Sequence, residues 1–207
     1  MKENLTEIVF IIDRSGSMAN LTNDTIGGFN TFIENQKKEA GEAVLTTILF
    51  DDKYEILHDG VDIKKVNPLT DKEYFARGMT ALLDAIGKTI NTIGERLNKT
   101  EEVERPSKVI FVITTDGAEN SSSEFTKPQI KEMIEHQTNK YNWQFMFLGA
   151  NIDAVGTAQS FGISGQFASN YTASSVGTDA LYTTLSKSVA SYRSVGEVSD
   201  NWKDELK

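Results

Sequence analysis

The 207-residue chain has 39% apolar and 9% aromatic residues with only three prolines, the composition of a folded globular protein and not of a disordered one. Thirty acidic against twenty-one basic residues give a formal net charge of -9, which repels a phosphate backbone and makes nucleic acid an unsuitable general partner. With no cysteine and two separated histidines, His58 and His136, disulfides, thiolate sites and an ordinary zinc site lack their ligands, and no segment approaches a membrane span.

The N-terminal residues Met1-Lys2-Glu3-Asn4-Leu5-Thr6-Glu7 carry acids and lack the apolar core of a signal peptide, from which a cytoplasmic location is expected. Ile8-Val9-Phe10-Ile11-Ile12 follows as five consecutive apolar residues, the pattern of a central strand buried on both faces of a parallel sheet. Beyond Asp13-Arg14-Ser15-Gly16-Ser17, the residues Ile26, Phe29, Phe32 and Ile33 recur at helical spacing between about Thr22 and Lys38. Ala43 to Phe50 and Tyr54 to Val61 predict two strands joined by Asp51-Asp52-Lys53, a hairpin that places an antiparallel strand at one sheet edge. Residues 62–79 have no convincing period, and Asn67-Pro68 marks a turn within them. The stripe Leu82, Leu83, Ile86, Ile90, Ile93 and Leu97 predicts the clearest helix, with Thr80 at the expected N-cap.

Val109 to Ile113 is a second buried strand, ending in Thr114-Thr115-Asp116-Gly117. A helix begins near Thr126, with Gln129 three residues on and Pro128 in its first turn. Trp143 to Leu148 predicts a third core strand, Asn151 to Phe161 a helix, Gln166 to Tyr171 a short edge strand, and Leu181, Leu185, Val189 and Tyr192 a final helix. From Glu197 the chain is mostly polar, so one domain over residues 1–196 with a loosely held tail over 197–207 is expected. Strands alternating with helices, with one early hairpin, predict an α/β fold: a doubly wound, mostly parallel six-stranded sheet with one antiparallel edge strand and helices on both faces.

In such sheets ligands sit beyond the carboxyl ends of the strands. Asp13, Ser15 and Ser17 follow the first strand on a turn through Gly16, which can bring their alternate side chains into one small volume. Their hard oxygens select magnesium, manganese or calcium over zinc. On these residues alone, a turn with Ser17 capping the next helix accounts for the pattern equally well. Thr80 and Asp116 add a hydroxyl and a second carboxylate from two further loops on the same side, whereas Asp51, Asp52 and Asp84 are expected as turn and helix-surface residues.

In this order the motifs Ile8-Val9-Phe10-Ile11-Ile12-Asp13-Arg14-Ser15-Gly16-Ser17-Met18, Gly78-Met79-Thr80-Ala81-Leu82 and Phe111-Val112-Ile113-Thr114-Thr115-Asp116-Gly117 resemble the von Willebrand factor type A domain. Gly78-Met79-Thr80 departs from the Gly-Gly-Thr usual in that family, with Met79 altering the loop. The resemblance implies a metal-ion-dependent adhesion site in which Asp13, Ser15, Ser17, Thr80 and Asp116 hold Mg2+, Mn2+ or Ca2+. It further implies a protein partner whose Asp or Glu completes the octahedron, and no catalysis. The resemblance is closest to stand-alone intracellular domains of bacteria and their phages, such as those in tellurite-resistance and stress gene clusters, and in other bacterial members of that family the partner is an AAA-type ATPase. Two other functions are weighed: a magnesium-dependent phosphatase of haloacid dehalogenase type, which wants a second Asp where Ser15 stands, and a scaffold component whose partners dock away from the metal.

Overall fold

The computed structural model describes residues 1–206. Six strands form one sheet in the order β3-β2-β1-β4-β5-β6. β1 (Lys2–Asp13), β2 (Glu42–Phe50), β4 (Pro106–Thr115), β5 (Gln144–Gly149) and β6 (Ala168–Asn170) run parallel, and β3 (Tyr54–Asp62) pairs antiparallel to β2 at one edge. The expected doubly wound architecture is therefore present, with its one antiparallel strand in the hairpin.

β1 holds the centre because its residues Ile8 to Ile12 are fully buried on both faces. Ile8, Phe10 and Ile12 face α1 (Thr22–Lys38) and α5 (Ser175–Val195), while Val9 and Ile11 face α2 (Leu82–Lys99), α3 (Lys127–Tyr141) and α4 (Ala154–Ser160). The chain leaves β1 toward β2 on one side and pairs with β4 on the other, so the strand order reverses at β1 and β4. That reversal opens a crevice at the carboxyl ends of these two strands.

Two expectations about local structure are corrected. Thr80 is not the N-cap of α2: Ala81 occupies that place, and its own side chain makes no cap hydrogen bond. Residues 197–206 are also held more firmly than their polarity suggests, because Val198 and Trp202 are buried and Trp202 Nε1 donates to Gln166 O at 2.9 Å. Residues 66–81 lack regular structure yet are packed, with Val66, Leu69 and Tyr74 buried against the α1 face. Among the described residues, no helix is long and apolar enough to cross a membrane.

Candidate metal centre

The crevice gathers the five predicted donors. Asp13 is the last residue of β1 and is fully buried; Ser15, Thr80 and Asp116 are 2%, 3% and 4% exposed, and Ser17 opens to solvent. Ser15 Oγ lies 3.1 Å from Ser17 Oγ, and Ser17 Oγ donates to Asp116 Oδ1 at 2.5 Å. A Cβ placed on Gly117 would stand 3.4 Å from Thr80 Oγ1 and 3.5 Å from Ser17 Oγ, which brings the Thr80 hydroxyl to the same cluster. Three loops, after β1, before α2 and after β4, thus deliver two carboxylates and three hydroxyls to one volume.

The carboxylates are held at an electrostatic cost. Asp13 Oδ1 accepts from Ser15 N at 2.6 Å and Oδ2 from Thr115 Oγ1 at 2.5 Å. Burial nevertheless raises the Asp13 carboxyl from 3.8 to about 6, outweighing those hydrogen bonds, and the Asp116 charge adds to the rise. Burial also raises Asp116, against the hydrogen bond from Ser17. Among the described residues no lysine, arginine or histidine forms an ion pair with either group. Two buried acids with no counter-charge, rimmed by neutral hydroxyls, fit a hard divalent cation. No three His, Cys, Asp or Glu side chains among the described residues group as a metal site, so the donor set depends on Ser and Thr oxygens to reach a useful number.

Asp51 and Asp84 are not surface residues. Asp51 is fully buried, and its Oδ2 accepts from Arg14 Nε at 3.0 Å and from Arg77 Nε at 2.7 Å. Burial alone would raise the Asp51 carboxyl, but hydrogen bonds from Arg77 and Lys53 and the charge of Arg14 hold it below its ordinary value. Since Arg14 sits between Asp13 and Ser15, and Arg77 three residues before Thr80, Asp51 ties two donor loops together from behind. The Phe75 ring packs against both guanidiniums, with centroid distances of 5.8 and 5.0 Å. Gly16 N donates to Gly78 O at 3.2 Å, and Gly78 adopts φ +68° where a Cβ would lie 2.0 Å from Asp52 Oδ1, so glycine is required in that loop.

Asp84, 6% exposed on the first turn of α2, accepts from the backbone N–H groups of Ser123, Glu124 and Phe125. Glu119 accepts from Leu83 N at 2.9 Å and from Ser121 N, Ser122 N and Ser122 Oγ within its own loop. The loop after Asp116 is therefore fastened to the start of α2. Thr115, Tyr74 and Asn120 also went unnoticed in the sequence: Tyr74 Oη donates to Asp13 O at 2.7 Å from a stretch without periodicity.

No family model and no curated protein matches the chain. Solved structures do. Proximal thread matrix protein 1 from the mussel byssus, with a zinc-occupied MIDAS motif, superposes with TM-score 0.62 at 15% identity, over 92% of this chain and 47% of that one. The pilus adhesin SpaC from Lactobacillus rhamnosus GG gives 0.66 at 13%, over 92% and 30%. A von Willebrand factor type A protein from Catenulispora acidiphila gives 0.56 at 12%, over 91% and 43%. The chain thus spans about half or less of the length of these three proteins. They correct the expected cytoplasmic location, because a byssus matrix protein and a pilus adhesin are not cytoplasmic. The expectation rested on the polar N-terminal residues Met1 to Glu7, which do not by themselves fix a compartment. What the superpositions establish is the fold: a von Willebrand factor type A-like sheet with helices on both faces.

Proposed function

We propose that the chain is a divalent-metal-dependent protein-recognition module. Asp13, Ser15, Ser17, Thr80 and Asp116 would hold one Mg2+, Mn2+ or Ca2+ ion, which supplies an electrophilic coordination position for an Asp or Glu side chain of a partner protein. The observation that carries this reading is the pair of buried, unneutralised carboxylates converging with three hydroxyls. Burial of Ser15, Thr80 and both acids leaves Ser17 at the mouth, so a partner approaches from the side where the cluster meets solvent.

Recognition is favoured over phosphoryl transfer by the residue two positions after Asp13. That chemistry needs a second Asp there as general acid, and the position is Ser15, whose hydroxyl instead lies 3.1 Å from Ser17 Oγ within the donor cluster.

Thermal melting with each cation tests the reading. At about a hundred times its dissociation constant, a bound ion adds about 2.7 kcal/mol, or roughly 5 to 10 °C for a domain of this size. Asp13→Ala should abolish the rise. No shift with magnesium, manganese or calcium would refute it. A capture of binding proteins that survives both chelator and Asp116→Ala would instead support docking away from the metal.

A further inference from the structure

Thr80 is far along the chain from the nearest strand end, whereas Asp13 and Asp116 are at or next to the ends of β1 and β4. It precedes the Ala81 N-cap, lies in a stretch without helix or strand, and its backbone groups find no partner in α2. Both are taken by a single residue from another loop: Thr80 N donates to Asn120 Oδ1 at 2.9 Å, and Asn120 N donates to Thr80 O at 3.0 Å. Asn120 stands four residues after Asp116, so the loop that supplies one carboxylate also clamps the neighbouring hydroxyl donor. That loop is itself fastened to α2 through Glu119 and Asp84, which makes Asn120 a fixed reference point.

We propose that Asn120 is a positioning residue that sets the Thr80 hydroxyl against the other donors and thereby sets cation affinity from outside the donor set. This rests on the metal-dependent reading of the site and adds to it a determinant that touches no ion. A side chain that fixes a ligand's orientation typically contributes 10- to 100-fold to metal affinity. The exposed Asn120 buries little surface, so its contribution to folding is small.

Manganese affinity read by electron paramagnetic resonance, with melting in chelator alongside, separates the two roles. Asn120→Ala is expected to weaken Mn2+ binding at least about 10-fold while metal-free melting moves by no more than about 4 °C. Asn120→Asp keeps the acceptor at Oδ1 and should stay within about threefold of the parent. Because Asn120 acts through Thr80, adding Asn120→Ala to Thr80→Ala should cost less than about twofold more. Should Asn120→Ala fail to fold, Asn120→Ser, whose hydroxyl is one bond too short to reach the Thr80 N–H, is expected to show the same loss. Binding by Asn120→Ala within twofold of the parent, or an equal loss in both Thr80 backgrounds, overturns the assignment of Asn120 alone. A parent without saturable Mn2+ binding overturns the metal-dependent reading itself, and this assignment with it.

Discussion

Replacing Asp13 by Asn should stabilise the metal-free protein, the opposite of what removing a conspicuous polar residue usually does. The parent carboxyl is raised from 3.8 to about 6 by burial, so the folded state binds a proton that the unfolded chain has already released. The stability contributed by that proton is full below about pH 4 and is lost as the pH rises through about 6. A shift of about two units corresponds to about 3 kcal/mol at pH 7.5 and roughly half of that at pH 5. Asn fits the site: its oxygen replaces Oδ1 as acceptor for Ser15 N, and its amide can donate to Thr115 Oγ1, whose own proton is then free for Gly117 O at 3.1 Å. In chelator at pH 7.5, Asp13→Asn should melt roughly 6 to 12 °C above the parent, with the gap shrinking toward pH 5. Saturating magnesium should raise the parent and leave the variant unmoved. An Asn variant that melts below the parent in chelator at pH 7.5 would show that burying this charge costs little, and the electrostatic case for a cation would fall.

The same protonation competes with a metal: Mn2+ affinity should fall as the pH drops through about 6, measured by calorimetry between pH 5 and 7.5, and a flat profile would count against Asp13 as a ligand. Asp51→Asn leaves the buried Arg14 without its full counter-charge and should cost about 3 to 5 kcal/mol in urea unfolding, with or without metal. At Gly28, an added Cβ would lie 2.1 Å from the Tyr182 ring, so Gly28→Ala should lower stability by about 1 to 3 kcal/mol; an unchanged denaturation midpoint would mean that α1 and α5 separate easily. Trp202→Ala should cost about 3 kcal/mol or more, and a loss under 1 kcal/mol would return residues 197–206 to the status of a loose tail.

Much of this architecture was legible because central parallel strands are written as unbroken apolar runs. Ile8 to Ile12 and Val109 to Ile113 are both interior to longer strands, β1 and β4. Their polar beginnings were not visible: Lys2 to Glu7 join the sheet through backbone pairing with β2 and β4, a register that side-chain hydrophobicity does not encode. The meeting of Asp13, Ser15, Ser17, Thr80 and Asp116 was legible for a different reason, since motifs after β1, before α2 and after β4 all fall on the carboxyl side of the sheet. What holds them was hidden. Asp51 and Asp84 sit in a turn and on a first helical turn, where solvent is the default, and only the arrival of Arg14, Arg77 and the 123–125 backbone from distant segments makes them interior. The N-cap signal at Thr80 was misleading because a tertiary partner, Asn120, occupies its backbone N–H and carbonyl and the helix starts one residue later.

The two margins of the sheet are protected by different means. β3 is irregular, with register shifts around Thr47 and a left-handed Gly60 at φ +62°, so its outer backbone is a poor template for another strand. β6 is three residues long, and around it Lys203 Nζ takes the carbonyls of Gly165 and Ala168 while Trp202 takes that of Gln166. A recombinant version trimmed at residue 196 would uncover those carbonyls beside a freshly bared aromatic footprint, and preparations that stop there should clump on concentration while those reaching residue 206 stay dispersed.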